Sequence, residues 1–188
     1  FLVIFLQQVA GYSALRSGLT TLPVTIIMFF LSGRVGALAG RLGPRAFMAS
    51  GPFVAAAGVL MLLRAGIHTS YLGVVLPSLV VFGFGLSITV APLTTTVLAE
   101  ADESDAGIAS AINNAIARIA GLVGIGTVGV IVAQALAGDT FRRTHASVHA
   151  FHEAVIACVV CLVTAGTTGA IGIRNPDPDV SVPKEVVS

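Results

Sequence analysis

Apolar runs separated by short polar turns repeat along the chain from residue 1 to about residue 173. The first, residues 1–11, is too short to cross a bilayer that takes ~20 helical residues, and it reads as part of a helix. Longer runs follow at about 18–33, 46–66, 71–99, 107–138 and 150–173. None shows the strict alternation of a barrel strand. Backbone groups in hydrocarbon must find hydrogen-bond partners inside their own segment, so each run is predicted to be a helix. The pattern predicts one partial and five complete transmembrane helices, with no linker long enough to divide residues 1–173 into two domains.

Residues 107–138 would extend ~46 Å as a straight helix, against a hydrocarbon core of ~30 Å. Counting ~20 residues back from Gly138 starts the crossing near Arg118 and leaves 107–117 projecting from the membrane. Arg118 then has two readings: an anchor that snorkels to the surface, or a partner for a carboxylate or anionic group from elsewhere. Asp102, Ser104 and Asp105 suit the start of this helix, where they can cap free N–H groups and meet the positive dipole end. Residues 174–188 hold three prolines and no apolar run, and are expected to form a disordered tail.

Composition agrees with a membrane protein. Only 10% of the 188 residues are charged, 55% are hydrophobic, and the mean hydropathy is +0.96. Soluble domains carry about 25% charged residues, so this chain has too little polar surface for a water-facing exterior. A net charge of +1 offers no basic footprint for nucleic acid. The chain opens on Phe1 inside an apolar run, with no charged region or small-residue cleavage site, which argues against a signal peptide. The expectation is a fragment that begins part-way through a helix. Cys158 and Cys161 lie in an apolar run without cationic neighbours and are expected to be buried thiols, not a redox or metal pair.

The scarce arginines act as punctuation. Residues 33–45, GRVGALAGRLGPR, hold Arg34, Arg41 and Arg45. Each arginine at the bilayer centre would cost roughly 2.5–3.5 kcal/mol, so this stretch is predicted to be a surface loop. Gly36, Gly40 and Gly43 would let two helix ends close around it. Loops on this side hold five Lys and Arg residues and those on the other side four, so charge counting alone leaves the orientation open.

The spacing in Gly36-Ala-Leu-Ala-Gly-Arg-Leu-Gly-Pro-Arg45 resembles the major facilitator signature G-x-L-a-D-r-x-G-r-[RK], at Gly36, Leu38, Arg41, Gly43 and Arg45. Gly40 stands where the signature has Asp. Residues 6–23 look like the segment that opens the last six helices of the fourteen-helix drug:proton antiporters. Residues 91–131 are similar to that family's penultimate helix and its acidic entry. The resemblance covers about residues 5–173. It implies the C-terminal helical bundle of the major facilitator fold, an all-α integral membrane protein in the bacterial inner membrane. It places residues 33–45 in the cytoplasm as a gating motif, with no carboxylate at Gly40 to latch it. It also implies efflux of small apolar or cationic compounds by alternating access, coupled to protons and completed by an N-terminal half. No cofactor is implied.

Candidate sites follow from both readings. Cavity-lining helices in this fold would carry Gln7, Gln8, Tyr12, Thr21, Thr25, Ser87, Thr89, Asn113 and Asn114 as substrate contacts, against the commoner role of interhelical hydrogen bonding. Of the nine acids none lies mid-span, so the proton-coupling carboxylates are expected in the N-terminal part. Pro23, Pro77 and Pro92, with Gly83 and Gly85, read as kinks or close approaches. Gly121, Gly124, Gly126 and Gly129 read as a packing seam. His145, His149 and His152, beside Glu153, could share a helix face, yet interface histidines are favoured there over a metal site. An intramembrane enzyme would need convergent acids, histidines or metal ligands at one depth, and the spans lack them. The rival reading is a stand-alone membrane interaction protein, or a half-transporter that needs a partner subunit.

Overall fold

The computed structural model describes residues 1–99, 106–136 and 140–172. Among these described residues seven α-helices follow in order: α1 (Leu2–Gln8), α2 (Ala14–Leu19), α3 (Leu22–Leu42), α4 (Pro44–Met61), α5 (Leu76–Ala99), α6 (Ala106–Ala135) and α7 (His145–Gly172). Five stretches of the described residues are long and apolar enough to cross a membrane: Ala14–Leu42, Pro44–Arg64, Tyr71–Leu93, Gly107–Ala135 and His145–Gly172. The chain is an all-α membrane bundle. Residues 100–105, with the expected helix-capping Asp102, Ser104 and Asp105, and the tail 174–188 lie outside the described residues.

Three boundaries differ from the sequence pattern. The predicted loop 33–45 is helix as far as Leu42, and Gly43 alone makes the turn into α4. Gly43 has φ 89°, a left-handed backbone open to glycine at little cost, and Pro44 starts the next helix with its preset φ. The cost of burying arginine specifies depth, not conformation, and a helix leaving the bilayer keeps its hydrogen bonds. The polar stretch before α3 is also helical. Ser13 caps α2, its Oγ accepting from the Arg16 N–H at 3.2 Å. Finally, α7 begins at His145, ahead of its apolar run, with the Thr144 hydroxyl accepting from the Ser147 N–H at 3.3 Å.

Helix α5 sits between α3 and α4, α4 also packs along α7, and α6 touches mainly α7. Lipid tails are as apolar as leucine, so close approach rather than water exclusion must hold these helices together. Glycine provides it. A Cβ built on Gly85 of α5 would lie 2.2 Å from the Ala55 backbone nitrogen of α4. One on Gly58 would lie 2.4 Å from the Phe82 nitrogen, and one on Gly51 would overlap Thr89. On the other side of α4, a Cβ built on Gly166 of α7 would lie 2.8 Å from the Phe53 ring, and one on Gly169 would lie 3.0 Å from the Met48 carbonyl oxygen.

The expected seam on α6 takes no part in the packing among the described residues. Among the described residues nothing approaches the Cβ positions of Gly121, Gly124 and Gly126 within 4 Å, and the Cβ position of Gly129 lies 3.9 Å from the Phe1 ring. The larger side chains instead build a core at the bundle end opposite Gly43. Phe5, Leu6, Val9, Leu62, Ala65, Val75, Leu79, Phe151 and Val155 gather there, with Phe5 stacked on Phe151 at 4.0 Å. A smaller cluster of Val132, Leu136, Ala150 and Ala154 ties the end of α6 to the start of α7.

Candidate functional site

The Gly43 turn places the signature residues in two settings. Gly36 faces α5, its Cβ position 3.8 Å from the Ala91 methyl. Arg45 reaches α7, where Nη2 and Nε both donate to the Ala170 carbonyl at 3.0 and 3.3 Å. Leu38, Gly40 and Arg41 are exposed, Leu38 to 46%. Arg45 thus meets the last turn of α7, whose free carbonyls form the negative end of the helix dipole.

The polar residues of the expected cavity fall into three environments. Ser87 and Thr89 belong to the packed α5, and each donates to its own helix, at the Gly83 and Gly85 carbonyls, both at 2.9 Å. Ser87 is fully buried. Tyr12 is tied up at the bundle end opposite Gly43, its hydroxyl donating to the Thr69 carbonyl at 3.1 Å and its ring lying 4.3 Å beneath the Arg16 guanidinium. Gln8, Thr25 and Asn114 are exposed and Gln7 and Asn113 half-buried, on α1, α3 and α6. Thr21 is half-buried and donates to the Gly18 carbonyl at 2.8 Å.

Helix α6 carries the most open face. From residue 107 to 127 no residue is buried. Arg118 is exposed in this stretch, and the only carboxylate among the described residues, Glu153, pairs elsewhere with His149 at 3.4 Å. Among the described residues no three potential ligands gather around a metal position. His152 is engaged with the Ala65 carbonyl at 2.8 Å. The thiols divide: Cys158 is half-buried, whereas Cys161 is exposed on the outside of α7, contrary to the expectation that both are buried.

Sequence reasoning passed over Gly51, Gly58, Gly166 and Gly169, and the His68 Nδ1 contact with Arg143 Nη2 at 3.3 Å. A signal existed for the first pair. Gly51, Ala55 and Gly58 repeat at helical spacing, the small-residue pattern that lets membrane helices approach closely. Nothing in the local sequence pairs His68 with Arg143.

Five membrane-length helices, joined in one case by a single glycine inside a Gly/Arg signature, match a known architecture. Residues 1–125 fit the family model of the Major Facilitator Superfamily. The chain belongs to that superfamily. Its members are membrane transporters, so the chain stands with transporters and not with enzymes. It is 33% identical over 129 residues to the multidrug resistance protein Stp of Mycobacterium tuberculosis, covering 69% of this chain and 24% of that protein. It is 30% identical over 126 residues to the multidrug efflux pump LfrA of Mycolicibacterium smegmatis, covering 67% of this chain and 25% of LfrA. The tetracenomycin C resistance and export protein of Streptomyces glaucescens is 28% identical over 143 residues, covering 75% of this chain and 26% of that protein. The chain thus spans about a quarter of the length of these relatives. As a member of the family it is a multi-pass protein of the bacterial cell membrane.

Proposed function

We propose that this chain acts as the C-terminal half of a proton-coupled exporter of drugs or other small apolar or cationic compounds. The observation that carries this reading is the open face of α6. A membrane-length helix holds Asn113, Asn114, Arg118 and a glycine series, yet makes little contact with its own bundle from residue 107 to 127. Polar groups on an otherwise apolar span are costly in lipid and favour a wet cavity or a protein neighbour. A second half docked there, with the substrate between the two, meets that requirement and suits alternating access around a midplane site. Membership of a transporter family and likeness to named efflux proteins support the same reading.

In this scheme α4, α5 and α7, in backbone contact through their glycines, move as one block. The Gly43 turn lies at the cytoplasmic mouth and residues 174–188 on the cytoplasmic side. Gln7, Gln8, Tyr12, Thr25, Thr89, Asn113 and Asn114 remain the proposed substrate contacts, the exposed ones foremost, while the fully buried Ser87 bonds within α5. Arg118 serves as an interface anchor or meets a carboxylate of the other half. The protonatable groups belong to that other half, because Glu153 sits near the start of α7 and is paired with His149.

The test is efflux by the full-length protein in a bacterial strain stripped of its own drug exporters. Loaded cells should extrude a cationic dye, and collapsing the pH gradient should stop them. The 188-residue chain alone should not extrude it. Export by the chain alone, or export indifferent to the pH gradient, would overturn the proposal.

A further inference from the structure

The bundle end opposite Gly43 holds Arg16, Arg64, Arg142 and Arg143. Among the described residues only Glu153 carries a carboxylate, and it is engaged with His149. Positive charge therefore accumulates here without matching acids in the described part of the chain. Of this group, Arg16 lines a cleft.

That cleft, about 180 Å³, is lined by Arg16, Leu19, Thr20 and Tyr71. Sites for drug-sized ligands run to ~300–1,000 Å³, so this one suits a small charged group. Its cation is held in place. The guanidinium rests 4.3 Å over the Tyr12 ring, and the Tyr12 hydroxyl is fastened to the Thr69 carbonyl at 3.1 Å. Cation–π contact uses the face of the guanidinium and leaves its N–H fork free for a planar or tetrahedral anion. Neither Arg16 nor the Tyr71 hydroxyl donates a side-chain hydrogen bond to any described residue. Thr20 spends its hydroxyl on the Ser17 carbonyl at 2.5 Å, so Arg16 and Tyr71 are the lining residues with side-chain donors left for an anion.

One wall is apolar. Leu19 is 51% exposed, and Leu15 and Leu22, at 74% and 47%, extend an apolar surface outside the cleft. A site that offers arginine and tyrosine donors beside a leucine surface at a bilayer interface fits a phosphate ester joined to an acyl chain. We propose that the Arg16–Tyr71 cleft binds the phosphate of an anionic phospholipid, with its acyl chain along Leu15, Leu19 and Leu22. A free phosphate shares the charge chemistry and leaves the leucine surface unused.

The chain has two tyrosines and no tryptophan; Tyr71 lines the cleft and Tyr12 lies under its arginine, so tyrosine emission reports on the site. The chain in uncharged detergent micelles is titrated with phosphatidylglycerol, with phosphatidylcholine of the same acyl chains, and with inorganic phosphate. Phosphatidylglycerol is expected to change the emission saturably, with phosphatidylcholine weaker by about tenfold or more and inorganic phosphate inactive at equal concentration. Arg16→Gln should weaken the phosphatidylglycerol response about tenfold or more, whereas Arg64→Gln, outside the cleft, should leave it unchanged. Circular dichroism of each variant separates a lost site from a lost fold. Leu19→Ser keeps the arginine and should weaken the lipid response, so the proposal stays testable if Arg16→Gln does not fold. No saturable response, equal loss in both arginine variants, or an equal response to inorganic phosphate would overturn the assignment.

Discussion

The Arg45 guanidinium, in the first turn of α4, donates twice to the carbonyl of Ala170 in the last turn of α7, at 3.0 and 3.3 Å. It satisfies a carbonyl that the helix itself leaves free, and it places positive charge at the negative end of the dipole. The signature by itself suggests a gate residue. The fold adds a clamp between the ends of two helices of the same bundle. Because Arg45 is exposed, the clamp is expected to stabilise by only about 1 kcal/mol. Arg45→Gln should therefore raise hydrogen–deuterium exchange near the end of α7 about three- to tenfold, with Arg45→Lys intermediate. Unchanged exchange in both variants would mean the contact contributes nothing.

The glycines of α5 and α6 should behave in opposite ways. Gly85→Ala forces a methyl to within 2.2 Å of the Ala55 nitrogen, and backbone cannot step aside cheaply. Overpacking of this kind costs about 1–3 kcal/mol or more, so the variant should lose several degrees of melting temperature in detergent or fail to fold. Gly124→Ala meets nothing within 4 Å among the described residues and should leave the melting temperature of this chain unchanged or slightly raised. In the full-length protein the same Gly124→Ala variant should impair efflux if another helix docks on that face. Equal effects of the two variants on the isolated chain would contradict the packing described.

Tyr12 offers a cleaner division between structure and transport. Its hydroxyl is already committed to the Thr69 carbonyl. Tyr12→Phe should lower stability by about 1 kcal/mol while retaining the ring under Arg16. If Tyr12 also contacts substrate through its hydroxyl, dye efflux by the full-length variant should fall by more than its reduced membrane level explains. Efflux that tracks the membrane level would assign Tyr12 to structure alone.

Glu153 should be dispensable for coupling. Its pairing with His149 at 3.4 Å joins two exposed side chains, of which 44% of Glu153 and 74% of His149 is accessible. Such pairs contribute ~0–1 kcal/mol, so Glu153→Gln should fold normally. Dye efflux by the full-length variant should keep its dependence on the pH gradient. Loss of that dependence with normal folding would move the proton carrier into this chain.

Much of the architecture was legible in the amino-acid order alone. A membrane span is a local property, because each segment must be apolar over its own length and satisfy its own hydrogen bonds. That is why the apolar runs foresaw five long helices, and why Arg34, Arg41 and Arg45 marked a bundle end. The Gly/Arg signature pointed to the superfamily through residues only a few positions apart. Which glycines would matter for packing was not local. Gly121, Gly124 and Gly126 have the spacing of a seam yet meet nothing within 4 Å among the described residues, while Gly51, Gly58 and Gly85 hold two helices at backbone contact. Close approach depends on the rotation of each helix and on what lies opposite, and only tertiary structure decides both. The same reason hid the Arg16–Tyr12–Thr69 chain and the reach of Arg45 to Ala170, 125 residues along the sequence. Hydropathy decided where the chain crosses the membrane; side-chain geometry between helices decided which residues meet.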